Sequence, residues 1–407
     1  MLASAQRFER RFEPYFRPAV NRMFRAPSVK LTQALINRRR PNDGLGLAEE
    51  RPLPGEEAAL DSIIESMGAY MRKKYQPGEF ERAGNTKTHA VVRGEVIVHE
   101  DLPEHLRRGV FAEPKTYRAW VRFSGPGPDS PADIDDVGFV SCAIKMMGVP
   151  GPKLLDDEQH TQDLLTICTP TFVTPNTIAN ADLQKEILRG TPGLYFLRPG
   201  RTHLLDLIMQ SWWNQTQTSP LEAEYFSTVP YLLGEGQAMM YSVRPRLKTR
   251  SRIPRLPFRP PDHYLRDAMV ATLERQDVEF DIQVQVQTDP HRMPIENAAV
   301  LWPEELSPWV TVATLRIPRQ RFDSPEQLAF AHNLSYNPWH CIPEHRPLGN
   351  QSRARYRMYT TLSKLRQEKN RYAARRANGG RSIRVASQSR PTGRQHHQGA
   401  TNASKLP

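Results

Sequence analysis

Asn85-Thr-Lys-Thr-His-Ala-Val-Val-Arg-Gly-Glu-Val-Ile-Val98 joins a polar loop to an apolar run. Val91, Val92, Val96, Ile97 and Val98 are β-branched, so the run reads as a strand. His89 sits at its mouth. An imidazole held at a strand entrance is rigid and can be aimed into a closed pocket as a general base or acid. Taken alone, any one of twelve histidines is more often a satisfied core or surface residue. The segments that follow change that balance.

Further strands are expected at Thr116–Ser124, Val137–Met146, Gln162–Cys168, Gln237–Val243, Val278–Gln287 and Val310–Ile317. Phe280, Ile282, Val284 and Val286 alternate with Asp281, Gln283, Gln285 and Gln287, the pattern of a half-buried antiparallel strand. Leu60, Ile63, Ile64, Met67 and Met71 recur at helical spacing, between acidic Glu56 and Glu57 and basic Lys73 and Lys74. Ser219-Pro-Leu-Glu222 and Ser324-Pro-Glu-Gln327 each read as a capped helix start. A last basic helix is expected from about Asn350 to Lys369. Six to eight long strands flanked by helices predict an α+β domain around an antiparallel barrel.

Composition divides the chain into three. Hydrophobic content is 38% with 36 prolines, so part of the chain is expected to be unpacked. The net charge of +12 lies at the ends: residues 1–40 and 368–407 carry +8 each, leaving −4 for the rest. No nucleic-acid partner is therefore expected for the body. Residues 1–54 form a basic arm that contacts an anionic surface or a partner through residues 1–40, or else is a solvated extension, the preferred reading. Residues 55–369 form the folded domain, and 370–407, poor in large apolar side chains, read as a disordered basic tail. Cys142, Cys168 and Cys341 fit neither a disulfide framework nor a zinc site. No apolar run nears the roughly 18 residues of a membrane span, and no secretory signal is visible, so a cytoplasmic location is expected. Ser404-Lys-Leu406 resembles a peroxisomal address blocked by Pro407.

On the last helix Arg355, Tyr359 and Arg366 fall on one face, at spacings of four and then seven. An arginine one turn from a phenol stabilises the phenolate, which makes Tyr359 a candidate ligand for ferric iron. In so basic a helix the same spacing also arises on a solvated face.

Together with His89, these segments resemble the catalase superfamily. Trp120-Val-Arg-Phe-Ser124, Asp133-Ile-Asp-Asp-Val-Gly-Phe139 with Ala143-Ile-Lys145, and Asp163-Leu-Leu-Thr-Ile-Cys-Thr-Pro170 follow in the family's order. Arg355-x-x-x-Tyr359 with Arg366 closes the series. The likeness spans about residues 80–368. Asn337-Pro-Trp-His-Cys-Ile-Pro-Glu-His-Arg-Pro-Leu-Gly349 is similar to the shorter catalase-related haem proteins, the allene oxide synthase-like and peroxidase branch.

The resemblance implies a catalase-like barrel with haem b buried between it and the C-terminal helix. It implies His89 as the distal proton shuttle, Ser124 as the holder of its second nitrogen and Tyr359 as the iron ligand. Arg355 would keep Tyr359 ionised, and Arg122 and Arg366 would bind propionates. Three positions depart from the family. Cys168 replaces the distal asparagine, either as a small buried hydrophobe or as a redox thiol. Thr88 precedes the histidine where valine is usual, with a hydroxyl able to bond the imidazole. Thr86 replaces a propionate arginine, leaving Lys87 as the nearby substitute. The expected function is a haem enzyme acting on hydrogen peroxide or an organic hydroperoxide. It would be a catalase-related peroxidase, or a fatty-acid hydroperoxide isomerase or lyase, with weak catalase activity. The alternative is a non-catalytic haem-binding protein tethered by its basic termini.

Overall fold

A computed structural model describes residues 2–198, 200, 202–247 and 249–370, with side chains from residue 8 onward. The tail expected to be disordered lies outside the described residues from 371 on, and Pro407 with it.

In chain order, α1 (Leu2–Val20) continues through a π-helical stretch at Asn21–Arg25 into α2 (Ala26–Arg39), and α3 (Glu56–Lys74) follows. Then come β1 (Thr88–Val98), β2 (Thr116–Ser124), β3 (Ser141–Met147) and β4 (Thr161–Ile167). After α4 (Thr177–Arg189), α5 (Pro192–Leu197) and α6 (Leu204–Ser211) come β5 (Tyr225–Phe226), β6 (Tyr231–Leu232) and β7 (Ala238–Pro245). Last are α7 (Tyr264–Leu273), β8 (Val278–Val286), β9 (Val310–Ile317), α8 (Pro325–Asn333) and α9 (Asn350–Asn370).

Every strand pairing is antiparallel, and the sheet closes on itself. β1 pairs with β2 on one side and β9 on the other, and β5 bridges β4 to β7, giving an eight-stranded barrel with β6 appended to β7. Ala90, Val92, Val96 and Val98 of β1 join the main core within the barrel, while Val91 faces out against Ala331 of α8 and Leu334 just past it. Large side chains such as Phe123, Tyr225 and Phe280 pack together there, as in small barrels whose interior is core rather than channel. Each such burial contributes about 1.5–3 kcal/mol.

Four expectations change. β3 begins at Ser141 rather than Val137, because Gly138 turns the chain with φ +77°. Ser219 caps only a single 3-10 turn, Pro220–Glu222, since the chain must extend at once into β5. The outward glutamines of β8 are buried: Gln285 Nε2 donates to Ser307 O at 2.8 Å and Gln287 Nε2 to Met293 O at 2.8 Å. The outer face of β8 and of Gln287 just past it is therefore covered by the following loop, while the other face packs in the barrel core.

The fourth change concerns the arm, which is docked rather than solvated. Arg10 and Glu13 of α1 are buried, and Glu13 Oε2 accepts from Thr216 N at 2.8 Å. Arg10 Nη2 donates to Val137 O at 3.1 Å. Phe8, Tyr15, Phe16 and Phe24 face outward. On the far side α9 packs on α3 through Met71, Leu362 and Met358. Arg353 ties the two helices by binding Glu56 at 2.7 Å. Among the described residues no helix is long and apolar enough to cross a membrane.

Candidate active site

The register of β1 explains how His89 is aimed. Thr88 pairs with Ser124 and Ala90 with Phe123, so His89 is the extra residue of a bulge. A bulge redirects its side chain and leaves it outside the ladder. The imidazole is buried, its Nε2 has no hydrogen-bond partner, and its Nδ1 lies 3.7 Å from Asp133 Oδ1. That carboxylate is fixed by Lys87 Nζ at 2.6 Å and by the Leu265 N–H, which donates to Oδ2 at 2.8 Å. Burial, then the charges of Lys87, Arg266 and Arg122, hold the His89 pKa well below its ordinary value. The ring is therefore held neutral at physiological pH.

Two of the bonds expected around His89 are not formed among the described residues. Ser124 makes none to the imidazole, and Asp133 is the group that faces Nδ1. The Thr88 hydroxyl accepts from Arg122 Nη2 at 2.7 Å instead of bonding the ring, because the bulge turns the two neighbours apart.

A second cluster lies outside the barrel wall. Arg122 Nη2 also donates to Asn85 O at 2.6 Å, while Nε is buried without a partner. Beside it Arg82 donates from Nη2 to Leu334 O at 2.5 Å, and its Nη1 is likewise orphaned. Arg366 Nη1 donates to His332 O at 2.6 Å. Burial and then Arg82 push the Arg122 pKa well down, with Arg366 adding to the repulsion. Glu81, the nearby acid, is 3.2 Å from His332. Buried Arg122 and Arg366 beside half-buried Arg82, with Arg122 Nε and Arg82 Nη1 lacking partners, fit a ligand that brings carboxylates. Lys87, the expected stand-in for the arginine missing at Thr86, is committed to Asp133 and to Asp262 O at 3.0 Å. Arg82, which the sequence reading passed over, stands in the cluster instead.

Arg355 and Tyr359 lie half-buried on α9. Arg355 Cζ is 5.4 Å from the Phe172 ring centre and has no ion pair among the described residues. It bears on Tyr231, whose phenol burial pushes up to about 12, against the opposing pull of Arg355; Tyr359 adds to the rise. The helix thus brings Tyr359 and Arg355 to Tyr231, a neighbour no sequence spacing announces. Arg366 belongs to the arginine cluster two turns away.

Cys168 is buried just beyond β4, and its Sγ accepts from Val140 N at 3.1 Å. Burial pushes the thiol up to about 12, so it is protonated and behaves as a small hydrophobe, not as a redox thiolate. Glu158, Asp163 and His340 converge with metal-ligand spacing, but Lys145 Nζ fills their centre, 2.8 Å from Asp163 Oδ1. That buried cation neutralises the carboxylates.

No family model matches the chain, and no curated protein does. Solved structures do. A fungal catalase crystal structure covers 90% of this chain and 80% of its own, with a TM-score of 0.57 at 14% identity. A bacterial catalase covers 86% and 71% respectively, with a TM-score of 0.54 at 14% identity. The barrel and its surrounding helices are catalase-like in fold.

Proposed function

We propose that the chain is a haem-binding enzyme acting on peroxides, with an organic hydroperoxide preferred to hydrogen peroxide. The observation that carries this is the pairing of a neutral, buried His89 with an arginine cluster in which Arg122 Nε and Arg82 Nη1 lack a hydrogen-bond partner among the described residues. Haem b, when bound, would supply the redox iron that cleaves the peroxide O–O bond. Arg122, Arg82 and Arg366 would hold its propionates, and Tyr359 would bind its iron, with the Arg355 cation one turn away supporting the bound phenolate. His89 accepts the proton of the incoming hydroperoxide at Nε2 and returns it to the departing oxygen. Cys168 offers no amide to a small peroxide, so binding energy must come from the organic part of the substrate.

The rival reading is a haem carrier without turnover, tethered through its ends. The outward aromatics of α1 support a contact of residues 1–40 with an anionic surface under either reading. A spectral titration decides. Haem-loaded protein should show a Soret band that hydroperoxide perturbs, and Tyr359→Phe should weaken it. A chain that takes up no haem when haem is plentiful overturns the proposal, and one that binds haem without any peroxide turnover makes the rival correct.

A further inference from the structure

α1 and α2 are turned inside out compared with an ordinary surface helix, which faces its apolar stripe inward and its charges outward. Arg10, Glu13 and Arg17 face the body instead: Glu13 Oε1 is 3.5 Å from Arg17 Nη1, and Arg17 Nη2 donates to Ser211 O. Arg25 stacks over Trp213 at 4.5 Å. The opposite face carries Phe8, Phe12, Tyr15 and Phe16, whose spacing keeps them on one side of a helix. It continues past the π-helical turn through Met23 and Leu31. Phe8 is 66% exposed, Met23 61% and Leu31 63%. At the rise of a helix, the stretch from Phe8 to Leu31 runs about 35 Å.

Neighbouring elements widen this face. Arg11 Nη1 donates to Phe258 O at 2.6 Å and the Tyr15 hydroxyl to Leu256 O at 3.4 Å, which sets Phe258, 79% exposed, beside α1. α6 packs on α2 through Ile36, Met209 and Leu205, and it shows Leu204, Leu207 and Ile208 outward. Soluble monomers rarely leave so many large apolar side chains open on adjoining helices.

Charge decides what covers them. Residues 1–40 carry +8, and of their two acids, Glu9 and Glu13, the second is engaged with the body. Arg22, Lys30, Arg38 and Arg39 are exposed along the same helices. A second copy docked face to face would set these cations against their own images, and like charges across an interface oppose association. An anionic bilayer suits both features, since rings and aliphatic side chains enter the headgroup boundary while the cations meet lipid phosphates.

We propose that this face docks on an anionic lipid bilayer, with α1 and α2 lying in the plane of its interface. None of these side chains belongs to the site around His89, so the docking stands or falls apart from the function proposed above.

The test uses the full chain and vesicles of phosphatidylcholine, alone or mixed with phosphatidylglycerol, in a co-sedimentation assay. The mixed vesicles should bind about tenfold or more tightly, and added salt should shrink the difference. Phe8→Ser, Phe16→Ser and Met23→Ser together should abolish binding to both, with circular dichroism unchanged. Arg22→Gln with Lys30→Gln should weaken binding to the mixed vesicles by about fivefold for each cation removed and leave binding to phosphatidylcholine as it was. Equal binding to the two vesicles, binding to neither, or variants that behave like the parent overturn the inference. A dimer in sedimentation velocity that the three Ser substitutions dissolve, with no vesicle binding, assigns the face to a second copy instead.

Discussion

His89 Nδ1 and Asp133 Oδ1 stand 3.7 Å apart, while Lys87 Nζ is 2.6 Å from the same oxygen. The carboxylate's charge is thereby spent on the ammonium, and burial with the surrounding cations keeps the imidazole neutral. Protonating His89 would place a fourth cation among Lys87, Arg266 and Arg122. The hydroperoxide rate should therefore stay flat as pH falls from 8 through the ordinary histidine value of about 6.5. A kcat/KM profile with an inflection near that value would show that His89 titrates normally and is not the neutral shuttle.

His340 and His345 are five residues apart and titrate in opposite directions. Burial alone would lower His340, but hydrogen bonds to Asp157 and Asp163, both at 3.0 Å, outweigh it and raise the pKa to about 9, against the opposing charge of Lys145. Glu158, 3.6 Å away, adds a further carboxylate. Its contribution is full below the unfolded value of about 6.5 and is lost as pH rises through 9, on the order of 3 kcal/mol. His345 is lowered to about 4, by burial first. Its Nε2 accepts from Val110 N at 2.9 Å and its Nδ1 faces Leu232 O at 3.3 Å, which suits only the neutral ring. That contribution is present above about 6.5 and lost as pH falls toward 4, by a similar amount. Urea unfolding at pH 5, 7 and 9 should show a maximum in the middle. His340→Gln should flatten the alkaline arm and His345→Gln the acid one; arms unchanged in both variants would refute the assignment.

The barrel was readable where strands are long and β-branched. β9 matches its expected bounds and β2 likewise, because uninterrupted runs of alternating side chains leave little choice of period. β5 and β6 are two residues each and have no period to read. At the site, His89, Arg122 and Tyr359 could be nominated from spacing and resemblance. Asp133 and Arg82 could not, since one lies in a single 3-10 turn and the other in irregular chain, and both meet their partners only through tertiary contacts. The bulge at His89 is invisible in sequence too, yet it decides that Asp133 faces the imidazole and that Thr88 turns to Arg122.

Gly138 ties the arm to the site. Its φ is +77°, and a Cβ there would overlap the Arg10 guanidinium. Gly138→Ala should therefore cost about 1–2 kcal/mol from backbone strain and expel Arg10 from the barrel mouth. Limited proteolysis should then cut within residues 8–40 faster than in the parent protein, while the core fragment persists. Equal cleavage rates would mean that α1 is held independently of Arg10.

The last prediction separates the roles of Cys168 and Thr88. A catalase reaction uses hydrogen peroxide twice, and each use needs a small molecule held by directed hydrogen bonds. Under the function proposed, Cys168 stands where the resemblance implies an amide, and its protonated thiol is occupied as an acceptor for Val140 N. On that reading one donor toward developing charge would be missing, worth about 2.7–4 kcal/mol, or a hundredfold or more in rate. Cys168→Asn should therefore raise oxygen release from hydrogen peroxide in haem-loaded protein. Thr88→Val should not, because the Thr88 hydroxyl accepts from Arg122 at 2.7 Å and its loss lets that guanidinium shift out of position in the arginine cluster. Its expected effect is weaker haem retention, read by transfer to apomyoglobin, with oxygen release unchanged. Oxygen electrode traces in which Thr88→Val gains activity and Cys168→Asn does not would reverse these roles.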